Sequence, residues 1–253
     1  MDLIIEKNYG VLHLTFNRHQ KRNALSIALC NSLREALESA KDDPSIRVVQ
    51  IDSEQEVFCA GADMEEMLKM PEALNQALDG LFRTLLHFTK PIVASVKGPC
   101  VGEGLALLLF ADMVYASKEA VFSYPATALA RTQRFGIAHW YGRCPQPKLL
   151  AQKILLAEPI SAFEAESLGL VTQVFELDDL AVAVANKLAR LVVLPPNAVQ
   201  ATREALLRDF IRGVEQDWER DQAIYNEQAA SAEAEEALNA FMEGRKPVFA
   251  PES

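Results

Sequence analysis

Cysteine is scarce: Cys30, Cys59, Cys100 and Cys144 are the whole complement in 253 residues, with no C-x-x-C pair and no histidine at ligand spacing. That excludes a disulfide framework and a zinc site as organising elements, so no metal is expected, and it predicts reduced, mostly buried thiols. Long apolar runs are missing too. The longest, residues 105–111, is far short of the roughly 20 residues a membrane-crossing helix needs. The opening MDLIIEKN has no basic segment followed by an apolar stretch, so no secretory signal is read and a cytoplasmic location is expected. Ala-Pro-Glu-Ser at the other end matches no lipidation or targeting signal. Basic residues are outnumbered, 25 Lys and Arg against 35 Asp and Glu, for a formal charge of −10. No electrostatic footprint for nucleic acid is therefore expected. There is no repeat of fixed period and no low-complexity stretch.

What is present suits a packed core. Half the residues are hydrophobic, and the 11 glycines and 12 prolines are not in excess, which argues against disorder. Two short apolar runs, residues 3–5 and 11–16, flank Asn8-Tyr9-Gly10 and predict a hairpin. Ser26 precedes Ile27, Cys30, Leu33 and Leu37 at helical spacing. Residues 48–51 and 92–96 read as buried strands, with a helix over 72–88 between them. Residues 113–116 and 121–122 read as further short strands. From about residue 149 the pattern is helical: 149–157, 162–168, 180–191, 197–212, and a long segment ending near 242. Strands alternating with helices, then helices alone, predict an α/β core over residues 1–193 and a helical region over 194–253.

One unit occurs twice: buried strand, small-residue turn, helix start. The first copy runs from residues 48–51 into Cys59-Ala60-Gly61-Ala62-Asp63, the second from 92–96 into residues 98–104. Glycine permits tight turning and close ligand approach. The first helical turn leaves N–H groups without intrahelical partners, and two such ends facing each other would form an oxyanion hole. A purely structural reading stands beside this one. Asp63 with Glu66 fits a capping box, and Gly102 and Gly104 would serve close packing.

Phe16-Asn17-Arg18 with Lys21-Arg22-Asn23-Ala24-Leu25 resembles the N-terminal signature of the crotonase (enoyl-CoA hydratase/isomerase) family. Residues 58–64 are similar to its first oxyanion segment, and 96–104 to its second. Glu164-Ala165 with Gly169-Leu170-Val171, and Phe241 with Arg245-Lys246-Pro247, resemble two later family segments, so the likeness runs the length of the chain. Gly98-Pro99-Cys100-Val101-Gly102, Val114-Tyr115-Ala116-Ser117 and Leu194-Pro195-Pro196-Asn197-Ala198 are most similar to the Δ3,Δ2-enoyl-CoA isomerase type. The resemblance implies a spiral of ββα units and a thioester oxygen held by the N–H groups of Ala62 and Glu103. It implies a homotrimer or dimer of trimers assembled through the C-terminal helices. Coenzyme A would enter as part of the substrate, with no tightly bound cofactor. Lys21 and Arg22 would lie near the CoA phosphates, the backbone at Ala60, Asp63 and Met64 near the adenine, and Phe241 and Lys246 within reach of CoA. Lys21 and Arg22 also read as solvated loop charges.

The sequence departs from the family where protons are handled. The two glutamate positions of the hydratases fall on Ala106 and Ala126, and that of the isomerases on Arg134. Between Glu119 and Glu158 there is no Asp or Glu, while Arg131, Arg134, Arg143, Lys148 and Lys153 are all there. A base within hydrogen-bond reach is needed to take a proton α to a thioester. The candidates are the side chains of Glu103, His139 and Tyr124. His139 and Tyr124 also read as packing groups, and Asp112 as a structural acid. Cys59 and Cys100 have no neighbouring base to activate them. Arg131 and Arg134 suit an anionic acyl group, since a guanidinium binds carboxylate in bidentate fashion. The competing reading places both on the surface of a loop. Three functions follow: an enoyl-CoA isomerase-like enzyme, a CoA-binding homologue without chemistry, or hydrolysis or decarboxylation of an anionic acyl-CoA.

Overall fold

The structure, a computed structural model, describes residues 1–249. In chain order it begins with β1 (Leu3–Asn8), β2 (Val11–Phe16), α1 (Ile27–Lys41), β3 (Val48–Ser53), α2 (Met64–Lys69), α3 (Pro71–Leu86) and β4 (Ile92–Val96). It continues with β5 (Cys100–Val101), α4 (Glu103–Leu108), β6 (Met113–Ser117), β7 (Val121–Ser123), α5 (Ile137–Arg143), α6 (Pro147–Leu155) and β8 (Ile160–Ser161). Last come α7 (Ala162–Ser167), β9 (Gln173–Phe175), α8 (Leu177–Val192), α9 (Pro196–Ala229) and α10 (Ala232–Glu243).

The main sheet has the order β1-β2-β3-β4-β6-β9. Only β1 and β2 are antiparallel. Tyr9 and Gly10, both at positive φ, make the two-residue turn that the hairpin twist favours. The remaining pairs are parallel, so each return needs a crossover, and helices supply it. One sheet face, with Leu12, Leu14, Val49, Ile51 and Ala94, joins the buried residues of α1 and α3 in the principal core. On the other face Val11, Val48, Val93 and Tyr115 pack under Leu180, Val184 and Leu188 of α8. A smaller sheet, β5-β7-β8, stands beside the first, and α4 is buried along its whole length.

One expectation changes. The 197–212 helix does not stop before Gly213: α9 continues to Ala229. His139 packs where a Gly213 side chain would be, 2.8 Å from an ideal Cβ, so the glycine serves packing and not termination. Phe210, Val214 and Trp218 of α9 belong to the principal core. Among the described residues no helix is long and apolar enough to cross a membrane.

Candidate active site

The two strand–turn–helix segments lie side by side. The Phe58 N–H donates to the Pro99 carbonyl at 2.9 Å, and the Val101 N–H to the Cys59 carbonyl at 2.8 Å, with a parallel bridge between Cys59 and Cys100. Such proximity needs Gly104: an ideal Cβ there would lie 2.6 Å from Cys59 Cβ. Gly102, at φ 55° and ψ −123°, holds a conformation reserved for glycine and turns β5 into α4.

Each segment ends in a helix start. Asp63 caps α2, accepting from the Glu65 and Glu66 N–H groups at 2.9 and 3.2 Å. The expected capping box is not closed, because the Glu66 carboxylate accepts from the Ile27 N–H at 2.7 Å, the first residue of α1. Buried Asp63 also pairs with Arg18 at 2.6 Å. Burial raises its pKa, but the Arg18 and backbone hydrogen bonds outweigh that and leave it below its ordinary value. Its side chain thus ties the head of α2, next to the Ala62 N–H, to Arg18.

That N–H points at Glu103. Ala62 N–H donates to Glu103 Oε2 at 3.0 Å, while Glu103 Oε1 lies 3.5 Å from Arg134 Nη2. Glu103 is the first residue of α4, where an N–H has no intrahelical acceptor. Its carboxylate thus bridges the head of α2 and Arg134.

Arg134 is not on a loop surface. It is 1% exposed, and its charge explains why: the guanidinium faces the Glu103 carboxylate and is layered between two rings. Its Cζ lies 4.4 Å from the Phe135 centroid and 3.8 Å from the Tyr225 centroid, geometry that favours a cation. Nη1 donates to Asn75 at 3.1 Å and Gln222 at 3.4 Å. The Arg134 N–H donates to the Tyr124 hydroxyl at 3.2 Å. Burial first, and then the Glu103 charge, push the Tyr124 hydroxyl well above its usual pKa, so it stays protonated.

A cleft of about 70 Å³ opens at this point, lined by Ala60, Ala62, Met64, Met67, Glu103, Tyr124, Ala126, Arg131 and Tyr225 among others. Arg131 is half-buried there, which corrects its reading as a solvated loop charge. Other candidates are not brought together with it. His139 lies 3.2 Å from Asp217 Oδ2 of α9 and does not line the cleft. Phe241 and Lys246 are exposed and outside the lining. Exposed Lys21 pairs with Glu65 at 2.8 Å, and Arg22 accepts the Ala60 N–H through its carbonyl. Asp112 accepts from the Ile92 N–H and pairs with Arg203, both at 2.7 Å, as a structural acid should. Burial pushes the Cys59 thiol up to about 12 and raises Cys100 well above its usual value, so neither is a ready nucleophile.

Asn75, Gln222, Met67 and Tyr225 escaped the sequence reading. Tyr225 had a visible signal: it continues the buried stripe of Phe210, Val214 and Trp218 on α9, at spacings of four, four and seven.

Known proteins resemble the chain in sequence and in fold. A sequence model described as "Enoyl-CoA hydratase/isomerase" matches residues 6–252. The chain is 33% identical to the 2,3-dehydroadipyl-CoA hydratase of Escherichia coli K12, covering 98% of each chain. It is 28% identical to enoyl-CoA delta isomerase 2 of Rattus norvegicus, covering 97% of this chain and 64% of that one. Among solved structures, an enoyl-CoA hydratase/isomerase from Pseudoalteromonas atlantica T6c superposes with a TM-score of 0.92 at 32% identity, over 99% of this chain and 100% of the other.

Proposed function

The chain belongs to the enoyl-CoA hydratase/isomerase family, and from that premise we propose that it shifts a double bond in an acyl-CoA, with Glu103 as the single proton carrier. The supporting observation is the 3.0 Å contact between Ala62 N–H and the Glu103 carboxylate. A thioester oxygen bound by the Ala62 and Glu103 N–H groups displaces that carboxylate, leaving it beside the carbon α to the carbonyl. The carboxylate takes the C2 proton of a 3-enoyl thioester, and the electron pair moves onto the oxygen held by the two N–H donors. The same carboxylic acid then returns the proton to C4, and the double bond settles between C2 and C3. A 1,3-proton shift needs one such group. Hydration, the activity in the printed name of the Escherichia coli relative, is the alternative within the family. It is less favoured because Ala106 and Ala126 stand at the hydratase glutamate positions.

Cleft and partners follow the same reading. Arg134 orients Glu103, and Tyr124, kept protonated, offers a hydroxyl to the acyl group. The substrate is an acyl-CoA, with CoA near Lys21, Arg22, Ala60 and Met64, and the assembly is a trimer or dimer of trimers through α9 and α10.

The test mixes purified protein with 3-enoyl-CoA and, separately, 2-enoyl-CoA, following the absorbance of the conjugated thioester. A rise with the first supports isomerisation; a fall with the second, without that rise, supports hydration. Turnover of neither sinks both. A second reading, a CoA-thioester binder without chemistry, draws on the acid-free stretch between Glu119 and Glu158. Calorimetric binding of acyl-CoA without turnover would favour it.

A further inference from the structure

Among the described residues, the cleft holds one cation, Arg131, that no carboxylate pairs. Arg131 follows the 3-10 turn Thr127–Leu129 and the left-handed residue Ala130. Its N–H donates to the Ala126 carbonyl at 2.9 Å, which fixes the base of its side chain. It lines the same cleft as Ala62 and Glu103. Among the described residues it pairs with no carboxylate: Nη1 meets only the Met67 thioether and, at 3.3 Å, the Tyr225 hydroxyl. Its Nε is buried with no acceptor. A guanidinium has five N–H donors and a thioether is a feeble acceptor, so this arginine is under-satisfied where a charge is costly to desolvate. Arg134 differs, being engaged by Glu103, Asn75, Gln222 and two rings. Arg134 Nε is also buried without an acceptor, but among the described residues only Arg131 of the two has no carboxylate within pairing distance.

We propose that Arg131 receives the terminal carboxylate of an ω-carboxyacyl group, so that the cleft takes CoA monothioesters of dicarboxylic acids. This rests on the cleft being a thioester site, whose lining brings Ala62, Glu103 and Arg131 together. A CoA phosphate shares the anionic chemistry. The walls around Arg131, the Met67 side chain and the Tyr225 ring with its centroid 5.6 Å away, favour the planar, singly charged carboxylate, which a guanidinium fork matches.

The experiment is calorimetry with saturated thioesters, which need no turnover: succinyl-, glutaryl- and adipyl-CoA against butyryl-, pentanoyl- and hexanoyl-CoA. At the best-fitting length the wild-type protein binds the carboxylated member at least about tenfold more tightly, the scale of one charge-assisted hydrogen-bonded pair. Arg131→Gln, checked for folding by circular dichroism, removes that preference and leaves the neutral member unchanged; Arg131→Lys keeps part of it. The preference survives in pantetheine thioesters, which lack the CoA phosphates. Equal weakening of both members by Arg131→Gln assigns the residue to a phosphate and overturns the proposal. So does wild-type protein that binds both members alike at every length, with thioester binding itself intact. Binding of none of them removes the thioester site as well.

Discussion

The Glu103 carboxylate accepts the Ala62 N–H at 3.0 Å, so the first residue of α4 covers the backbone donor beside the head of α2. Under the proposed function, substrate oxygen and enzyme carboxylate compete for that single hydrogen. Glu103→Ala should therefore bind a saturated acyl-CoA more tightly, by up to about tenfold, while turnover falls by about 10²–10⁴. Glu103→Gln, which keeps an acceptor oxygen, should bind near the wild-type affinity and be equally slow. Calorimetry beside the conjugation assay reads both; unchanged turnover in Glu103→Gln would falsify the proton-carrier role.

Arg134 should not tolerate lysine. The planar guanidinium fits between Phe135 and Tyr225 and reaches Asn75, Gln222 and Glu103 together; an ammonium cannot reproduce that fork. Arg134→Met leaves the Glu103 carboxylate buried without its cation, a change that typically costs about 3–5 kcal/mol. Urea unfolding should place both variants below wild type, with Arg134→Met the lower. A midpoint equal to wild type in Arg134→Met would show that the pair contributes nothing.

Gly104→Ala tests the close approach of the two segments. Its Cβ would meet Cys59 Cβ at 2.6 Å, with the Cys59 carbonyl at 3.2 Å. Overpacking of this kind costs about 1–3 kcal/mol, and the displacement would spread the two N–H donors. Thermal melting should show the destabilisation, and acyl-CoA affinity should fall with it. Full affinity in a stable variant would mean that the spacing is not what sets the hole.

Alkaline stability should decline through the thiols. Burial raises Cys30, Cys59 and Cys100 in the folded chain, whereas an unfolded thiol ionises near about 8.5. Stability from keeping them neutral is complete below that value and is lost as pH rises, up to Cys59's folded value of about 12. Each contributes a slope of up to about 1.4 kcal/mol per pH unit. Denaturant midpoints at pH 7.5, 8.5 and 9.5 should fall, and replacing the three cysteines by alanine should flatten the trend. An equal fall in that variant would assign the loss to other groups.

Much of the frame was legible because its signals are local. Asp63 at the head of α2 and Ser26 at the head of α1 cap as their residue types predict, and Gly102 marks the turn into α4. At the candidate site the side chains of Glu103, Tyr124, Arg131 and Arg134 could be named from the sequence, but not the contacts between them. Glu103 and Arg134 are 31 residues apart, and nothing along the chain distinguishes an arginine buried between two rings from one in solvent. The helix expected over 197–212 runs on through Gly213 for a similar reason: whether a glycine ends a helix or makes room for His139 is decided by the neighbouring helix. Glu66 likewise fits a capping box by spacing, yet it reaches across to Ile27.

Tyr225 touches Arg131 through its hydroxyl and Arg134 through its ring. The cleft is thus completed by a side chain 163 positions after Ala62, the difference between 225 and 62 in the chain numbering. During synthesis the strands and both helix starts emerge long before that ring does. Until α9 has left the ribosome and docked, Arg134 has one aromatic face open to water. A nascent chain holding the whole main sheet would carry both strand–turn–helix segments and the Glu103 carboxylate, with Arg134 still lacking the Tyr225 ring and the Gln222 acceptor of α9. The Glu103–Arg134 pair is enclosed only when a helix from far along the chain docks on it.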